Sequence, residues 1–307
     1  MSHTVSVEEV AKWYGQVVAV NGVSLALDPG VSGLLGPNGA GKSTLMKVLV
    51  GQLRPSRGKA TVLGHEPWNN PEMNRSIGFC PEQDSFYESM TGRRFITSLL
   101  ALNGYSRAEA ARRADRAISE VGMAEMAGGK IAGYSKGMRQ RIKLAQAIAH
   151  DPRVLILDEP VTGLDPVGRR HVIDLIRKWG DEGRTVLVSS HILHEVEAMT
   201  STVLLVNHGR LLAEGNVHEI RDLIDEHPHH VTLTTSDPRA LAARLIADPD
   251  VVSVRFDEGS RNVTAETIRP DEFYRRVPAL VLEEGVEVEE LSSPDDNLQA
   301  VFDYLVK

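Results

Sequence analysis

Residues 36–44 read GPNGAGKST, with the apolar run VSGLL (31–35) before them and the helix-like stretch LMKVLV (45–50) after. Strand, glycine-rich loop and helix in that order are the context a phosphate-binding loop requires. Triphosphate oxygens must be met by several backbone N–H groups at once, and Cβ atoms would hold the backbone away. Gly36, Gly39 and Gly41 remove that obstacle. Lys42 then reaches the β/γ-phosphates as a point charge, Ser43 offers a hydroxyl to Mg2+, and the helix N-terminus adds partial positive charge. The loop reads as a triphosphate cradle, a device that kinases, GTPases, motors and transporters share.

At 307 residues the chain exceeds the usual single-domain size, so one large and one small domain are expected. No apolar run approaches the roughly 20 residues needed to span a bilayer, and the first ten residues, MSHTVSVEEV, lack the features of a signal peptide. The single cysteine, Cys80, cannot form an intrachain disulfide, which suits a reducing cytosol; it reads as a small buried hydrophobe. Net charge is −8 and uneven: residues 222–307 carry 19 Asp and Glu against 8 Lys and Arg, while residues 1–221 carry 23 against 26. That balance offers no basic footprint for nucleic acid.

Residues 5–10 and 20–27 pattern as strands, with turns expected at Trp13-Tyr14-Gly15 and Asn21-Gly22. Tyr14 is either a packing aromatic or a flat face for a purine. Residues 77–80 read as a strand that ends near Gln83, where a side chain can reach a ligand at the sheet's edge. Residues 91–128 turn helical, and Ser106 with Glu109 has the spacing of a capping box. The arginines there alternate with acids and describe a solvated face. YSKGMRQR (134–141) starts another helix with a Ser and a Gly, a phosphate-sized donor cluster. VLIL (154–157) reads as a buried parallel strand whose end carries Asp158 and Glu159. Strand alternation would send these carboxylates different ways, Asp158 toward Mg2+ and Glu159 toward the water that attacks the γ-phosphate. A turn at TGLDP (162–166), a helix, and a strand ending at His191 follow, His191 being either structural or a γ-phosphate contact.

Taken together, GPNGAGKST, Gln83, YSKGMRQR, VLILDEP, TGLD and His191 resemble, in order and spacing, the nucleotide-binding domain of ABC transporters over residues 5–220. The resemblance implies ATP as substrate and Mg2+ as cofactor. By it, Gly36, Pro37, Asn38, Gly39, Ala40, Gly41, Lys42, Ser43 and Thr44 are Walker A and Gln83 is the Q-loop glutamine. Asp158 is the Walker B aspartate, Glu159 the catalytic base, Asp165 the D-loop aspartate and His191 the switch histidine. Tyr14 matches the adenine-stacking aromatic, and Ser43, Gln83 and Asp158 match the Mg2+ site. Residues 134–138 stand where the family has LSGGQ and differ by Tyr134, Lys136 and Met138; Ser135 and Gly137, the phosphate contacts, remain. In this family two domains close head to tail over two ATP, which implies a homodimer here.

The expected fold is thus an α/β P-loop NTPase domain, residues 1–221 with a helical subdomain at about 88–150, followed by an accessory domain, 222–307. HPHH (227–230) reads as a solvated linker. Beyond it the order β-α-β-β-α-β-α, closed by a helix over 294–306, suggests a small ferredoxin-like domain. That tail resembles the extension on ATPase subunits of some bacterial exporters. The implied function is the separately encoded ATPase subunit of an exporter, peripheral on the cytoplasmic face of the cell membrane beside a polytopic membrane subunit. A soluble ABC-type ATPase on a macromolecular machine and a regulatory module without turnover are the other classes.

Overall fold

The computed structural model describes residues 3–216, 229–256, 259–284 and 287–292. The chain forms two compact units, Met1–Gly215 and Asn216–Lys307; the expected boundary near residue 221 lies outside the described residues.

In the first unit, β1 (Val5–Tyr14), β2 (Val17–Leu27) and β4 (Arg57–Val62) make a sheet ordered β2-β1-β4, with β1 antiparallel to both neighbours. Here the expected turns are corrected. Tyr14 pairs with Val17, so the connection is the two residues Gly15 and Gln16, with Gly15 at φ +59. Asn21 and Gly22 lie inside β2 opposite Ala11 alone, where the register shifts; they form a bulge, with Gly22 at φ +65. Glycine marks both kinds of site in sequence.

The second sheet holds β3 (Gly30–Leu35), β5 (Ile77–Cys80), β6 (Val154–Leu157), β7 (Thr185–Ser190), β8 (Thr202–Asn207) and β9 (Arg210–Asn216), ordered β5-β6-β7-β3-β8-β9. β5, β6, β7, β3 and β8 run parallel. Both faces are covered, which is why these strands read as unbroken apolar runs. Val154, Ile156 and Leu187 enter one core, shared with helix α1 (Lys42–Leu49) and the antiparallel sheet. Leu155, Leu157, Val186 and Val188 enter the other, under α3 (Gly92–Leu102), α4 (Arg107–Glu120), α5 (Lys136–Ile148) and α6 (Pro166–Asp181). The two-residue period thus assigns alternate residues to opposite cores. Short helices α2 (Pro71–Asn74) and α7 (Leu193–Glu197) complete the unit.

Ser106 caps α4, its Oγ accepting from Glu109 N at 3.3 Å. The reciprocal half of the box is replaced: the Glu109 carboxylate binds Arg112 and Arg113. Cys80 is fully buried in β5, and burial pushes its thiol up to about 12. At pH 8 only about one thiol in ten thousand would ionise. A thiol reagent is therefore expected to label the native chain negligibly and to take up one equivalent once urea unfolds it.

In the second unit, β10 (His229–Thr235), the helix Pro238–Leu245, β11 (Val251–Phe256), β12 (Asn262–Thr267), the helix Pro270–Glu284 and β13 (Val288–Ser292) follow in order. The antiparallel order β11-β12-β10-β13 is the ferredoxin-like arrangement. Val231, Leu233, Leu241, Val263 and Phe273 centre its own core. His229 and His230 belong to β10 rather than to a linker, and His230 Nε2 lies 3.3 Å from Glu266. His227 and Pro228, and the helix expected over 294–306, lie outside the described residues. Among the described residues no helix is long and apolar enough to cross a membrane.

Candidate functional site

The loop between β3 and α1 is shaped by its glycines. Gly41, just before α1, has φ +100, and a Cβ there would stand 2.2 Å from Ala19 O; one on Gly36 would stand 2.4 Å from Val206 O. Side chains at either position would push the loop off the strands that support it. Lys42 folds back over the loop, its Nζ donating to Gly36 O at 2.5 Å and Pro37 O at 3.2 Å. Burial holds this ammonium below its usual pKa, against the pull of Glu159, Asp158 and Glu82. A cavity of about 270 Å³ lies over the loop, lined by residues 37–44 together with Ala19, Glu82, Asp158 and Glu159.

The two acids are separated differently from the alternation expected of a strand. β6 ends at Leu157, and Glu159 adopts a left-handed φ of +51. This backbone, uncommon for a non-glycine residue, is held on both sides. Ser189 Oγ accepts the Glu159 N–H at 2.9 Å and donates to Asp158 Oδ1 at 2.6 Å, while Gln140 Nε2 donates to the carbonyls of Glu159 (3.3 Å) and Pro160 (2.8 Å). The Glu159 carboxylate, 7% exposed, meets His191 Nδ1 at 3.0 Å from Oε1 and accepts from Thr162 Oγ1 at 3.1 Å on Oε2. Lys42 Nζ stands 3.9 Å from Oε1. Ser189→Ala leaves Asp158 and the Glu159 N–H without a buried partner, so a stability loss of about 1–3 kcal/mol is expected in urea unfolding.

Gln83 is exposed and lines a groove of about 740 Å³ together with Ser43, Asp158, Phe79, Leu99 and Leu102. Ser135 caps α5, accepting from Met138 N at 3.3 Å, with Gly137 in the first turn. Tyr134 is anchored through its hydroxyl, which donates to Met126 O at 3.0 Å and accepts from Gly92 N at 3.3 Å. Lys136 lies across Gly163, where a Cβ would stand 2.4 Å from its Cε. Asp165 begins α6 without capping it through its side chain. Tyr14 ends β1 half-exposed, with Lys12 Nζ 5.5 Å from its ring centroid. The fold thus gathers the loop, Asp158, Glu159 and His191 at one place and joins Gln83 to it through the groove. Tyr14, Ser135, Gly137 and Asp165 are outside the lining of the loop cavity.

Ser189, Gln140 and Thr162 are functional neighbours that the motifs alone do not reveal. Ser189 had a signal, a hydroxyl closing a buried apolar strand. Gln140 had another, an amide in register with Leu144 and Ala147 on the buried face of α5.

Residues 20–162 match the family profile described as ABC transporter. The chain is 35% identical over 269 residues to the daunorubicin/doxorubicin resistance ATP-binding protein DrrA of Streptomyces peucetius, covering 83% of this chain and 82% of that one. It is 32% identical to the daunorubicin resistance ATP-binding protein DrrA3 of Streptomyces coeruleorubidus, over 98% of this chain and 95% of the relative. Among solved structures, the ATP-binding subunit of an ABC transporter superposes with a TM-score of 0.65 at 29% identity, over 72% of this chain and 93% of that chain. Loop, paired acids, histidine and these likenesses agree, and the chain belongs to the ATP-binding subunits of ABC transporters, the ATPases that drive them.

Proposed function

We propose that this chain is the ATPase subunit of a drug exporter, peripheral on the cytoplasmic face of the membrane, where it works with a separate polytopic subunit. The drug-resistance names of its relatives support this, as does the groove beside Gln83, whose apolar wall includes Leu102, 84% exposed. That groove is assigned to the membrane subunit. Residues 1–221 form the nucleotide-binding domain and 222–307 an accessory domain.

The observation that carries the chemistry is the Glu159 carboxylate set between His191 and Lys42 beside the loop cavity. Residues 36–44 hold the triphosphate, Lys42 neutralises it, and Tyr14 stacks on the base. Glu159 takes the proton of the attacking water, and His191 holds Glu159 and meets the γ-phosphate. Ser135 and Gly137 reach the phosphate bound by a second copy of the chain, and Asp165 lies at that interface.

The donor set fits Mg2+. Asp158 is 2% exposed and has one oxygen tied by Ser189, leaving the other free, and Ser43 lines the same cavity. One or two hard oxygen ligands are what this ion takes from a protein when substrate phosphates supply the rest. Ser43 and Asp158 would hold it, with Gln83 alongside, and it would neutralise phosphate charge.

The testing experiment is affinity purification of the tagged chain from detergent-solubilised membranes. A polytopic protein recovered in near-equal amount is the expected result; recovery only from the soluble fraction, alone or with ribosomes, would overturn the exporter reading.

A further inference from the structure

Glu195 is a buried acid that the chemistry above leaves unused. It sits in α7, 2% exposed, with two partners. Ser190 Oγ donates to its Oε2 at 2.8 Å, and Arg169 Nη1 stands 3.5 Å from its Oε1. The same Ser190 hydroxyl accepts the N–H of Ile192 at 3.0 Å. The residues on either side of His191 are therefore fastened to one hydroxyl, whose proton Glu195 holds.

One further bond connects this turn to the site: Ser190 O accepts the N–H of Gly36 at 3.3 Å, which joins the turn to the phosphate loop. Arg169 stands in the first turn of α6. α7 itself is five residues long, too short to persist without such anchors. The His191 imidazole, 40% exposed, projects from this turn to Glu159. Its aim follows the backbone that Glu195 secures.

We propose that Glu195 is a positioning residue for ATP hydrolysis, holding Ser190 against the start of α6 so that the turn presents His191 to Glu159. The inference rests on His191 acting at the site as described under the proposed function.

The test is a double-mutant cycle in the full-length chain, with ATP hydrolysis measured for the parent, His191→Ala, Glu195→Ala and the pair. Affinity for a fluorescent ATP analogue is measured separately. Glu195→Ala is expected to lower kcat about tenfold with KM changed less than about twofold, and the pair to be no slower than His191→Ala alone. Glu195→Gln, whose amide oxygen still accepts the Ser190 proton, is expected to keep at least about half of the parent kcat. Should Glu195→Ala fail to fold, Ser190→Ala closes the same cycle. Losses that multiply in the pair, or a Glu195→Gln variant as slow as Glu195→Ala, would overturn the positioning role alone. A His191→Ala variant at the parent rate would instead remove the reading of His191, and this inference with it.

Discussion

Glu159→Gln is expected to lower kcat by about 10²- to 10⁴-fold, the range for removing a general base, while ATP still binds. That loss corresponds to about 3–5 kcal/mol of barrier. Glutamine matches glutamate in size, and two anchors of this residue hold its backbone and are untouched by the change: Ser189 on its N–H and Gln140 on its carbonyl. The amide still accepts from Thr162 and faces His191, so the pocket keeps its shape. What is lost is the basic oxygen beside Lys42. Bound ATP then persists, and an ATP-dependent dimer should accumulate in size-exclusion chromatography with Mg2+. A variant hydrolysing ATP at the parent rate would remove Glu159 from the role of base, and a variant that binds ATP but stays monomeric would remove the dimer from the mechanism.

Why Glu159 was legible and its supports were not follows from chain separation. The glycine loop and the acids at the end of VLIL are local: a strand end, a turn and a helix start fix their chemistry within a few residues. Ser189 lies 31 residues from Asp158, and Gln140 lies 19 from Glu159. Their meeting depends on β6 and β7 being neighbours and on α5 packing beneath them, which periodicity along one strand does not encode. The left-handed backbone of Glu159 was hidden for a related reason. A glycine advertises positive φ, whereas a glutamate forced there by two distant side chains does not. In the same way Asn21-Gly22 signalled a break without distinguishing a bulge from a turn; the pairing of β1 decides it. The accessory unit was legible as an order of elements, and βαββαβ leaves few ways to build one antiparallel sheet.

Lys42→Met is expected to separate stability from binding. The folded chain lowers the Lys42 pKa because burial outweighs the attraction of Glu159, Asp158 and Glu82. A cation whose folded pKa lies below its unfolded one is a net burden at every pH below the folded value. The burden fades as pH rises through the folded pKa toward 10.5, where the unfolded chain is the one still binding the proton. Methionine keeps the stem's packing and sheds the charge, at the expense of the bonds to Gly36 O and Pro37 O. These effects oppose each other, so the melting temperature without nucleotide should change by no more than about 4 °C, roughly 1 kcal/mol. Binding has no such offset, because the triphosphate loses the cation that faces it. With ATP at 100 times its Kd, the parent gains about 2.7 kcal/mol from linkage. A variant binding about 100-fold more weakly gains only about 0.4 kcal/mol at the same ATP concentration. Thermal unfolding with and without Mg2+ and ATP therefore tests the assignment without any turnover: an ATP-induced rise of parental size in Lys42→Met would mean that Lys42 does not face the phosphates.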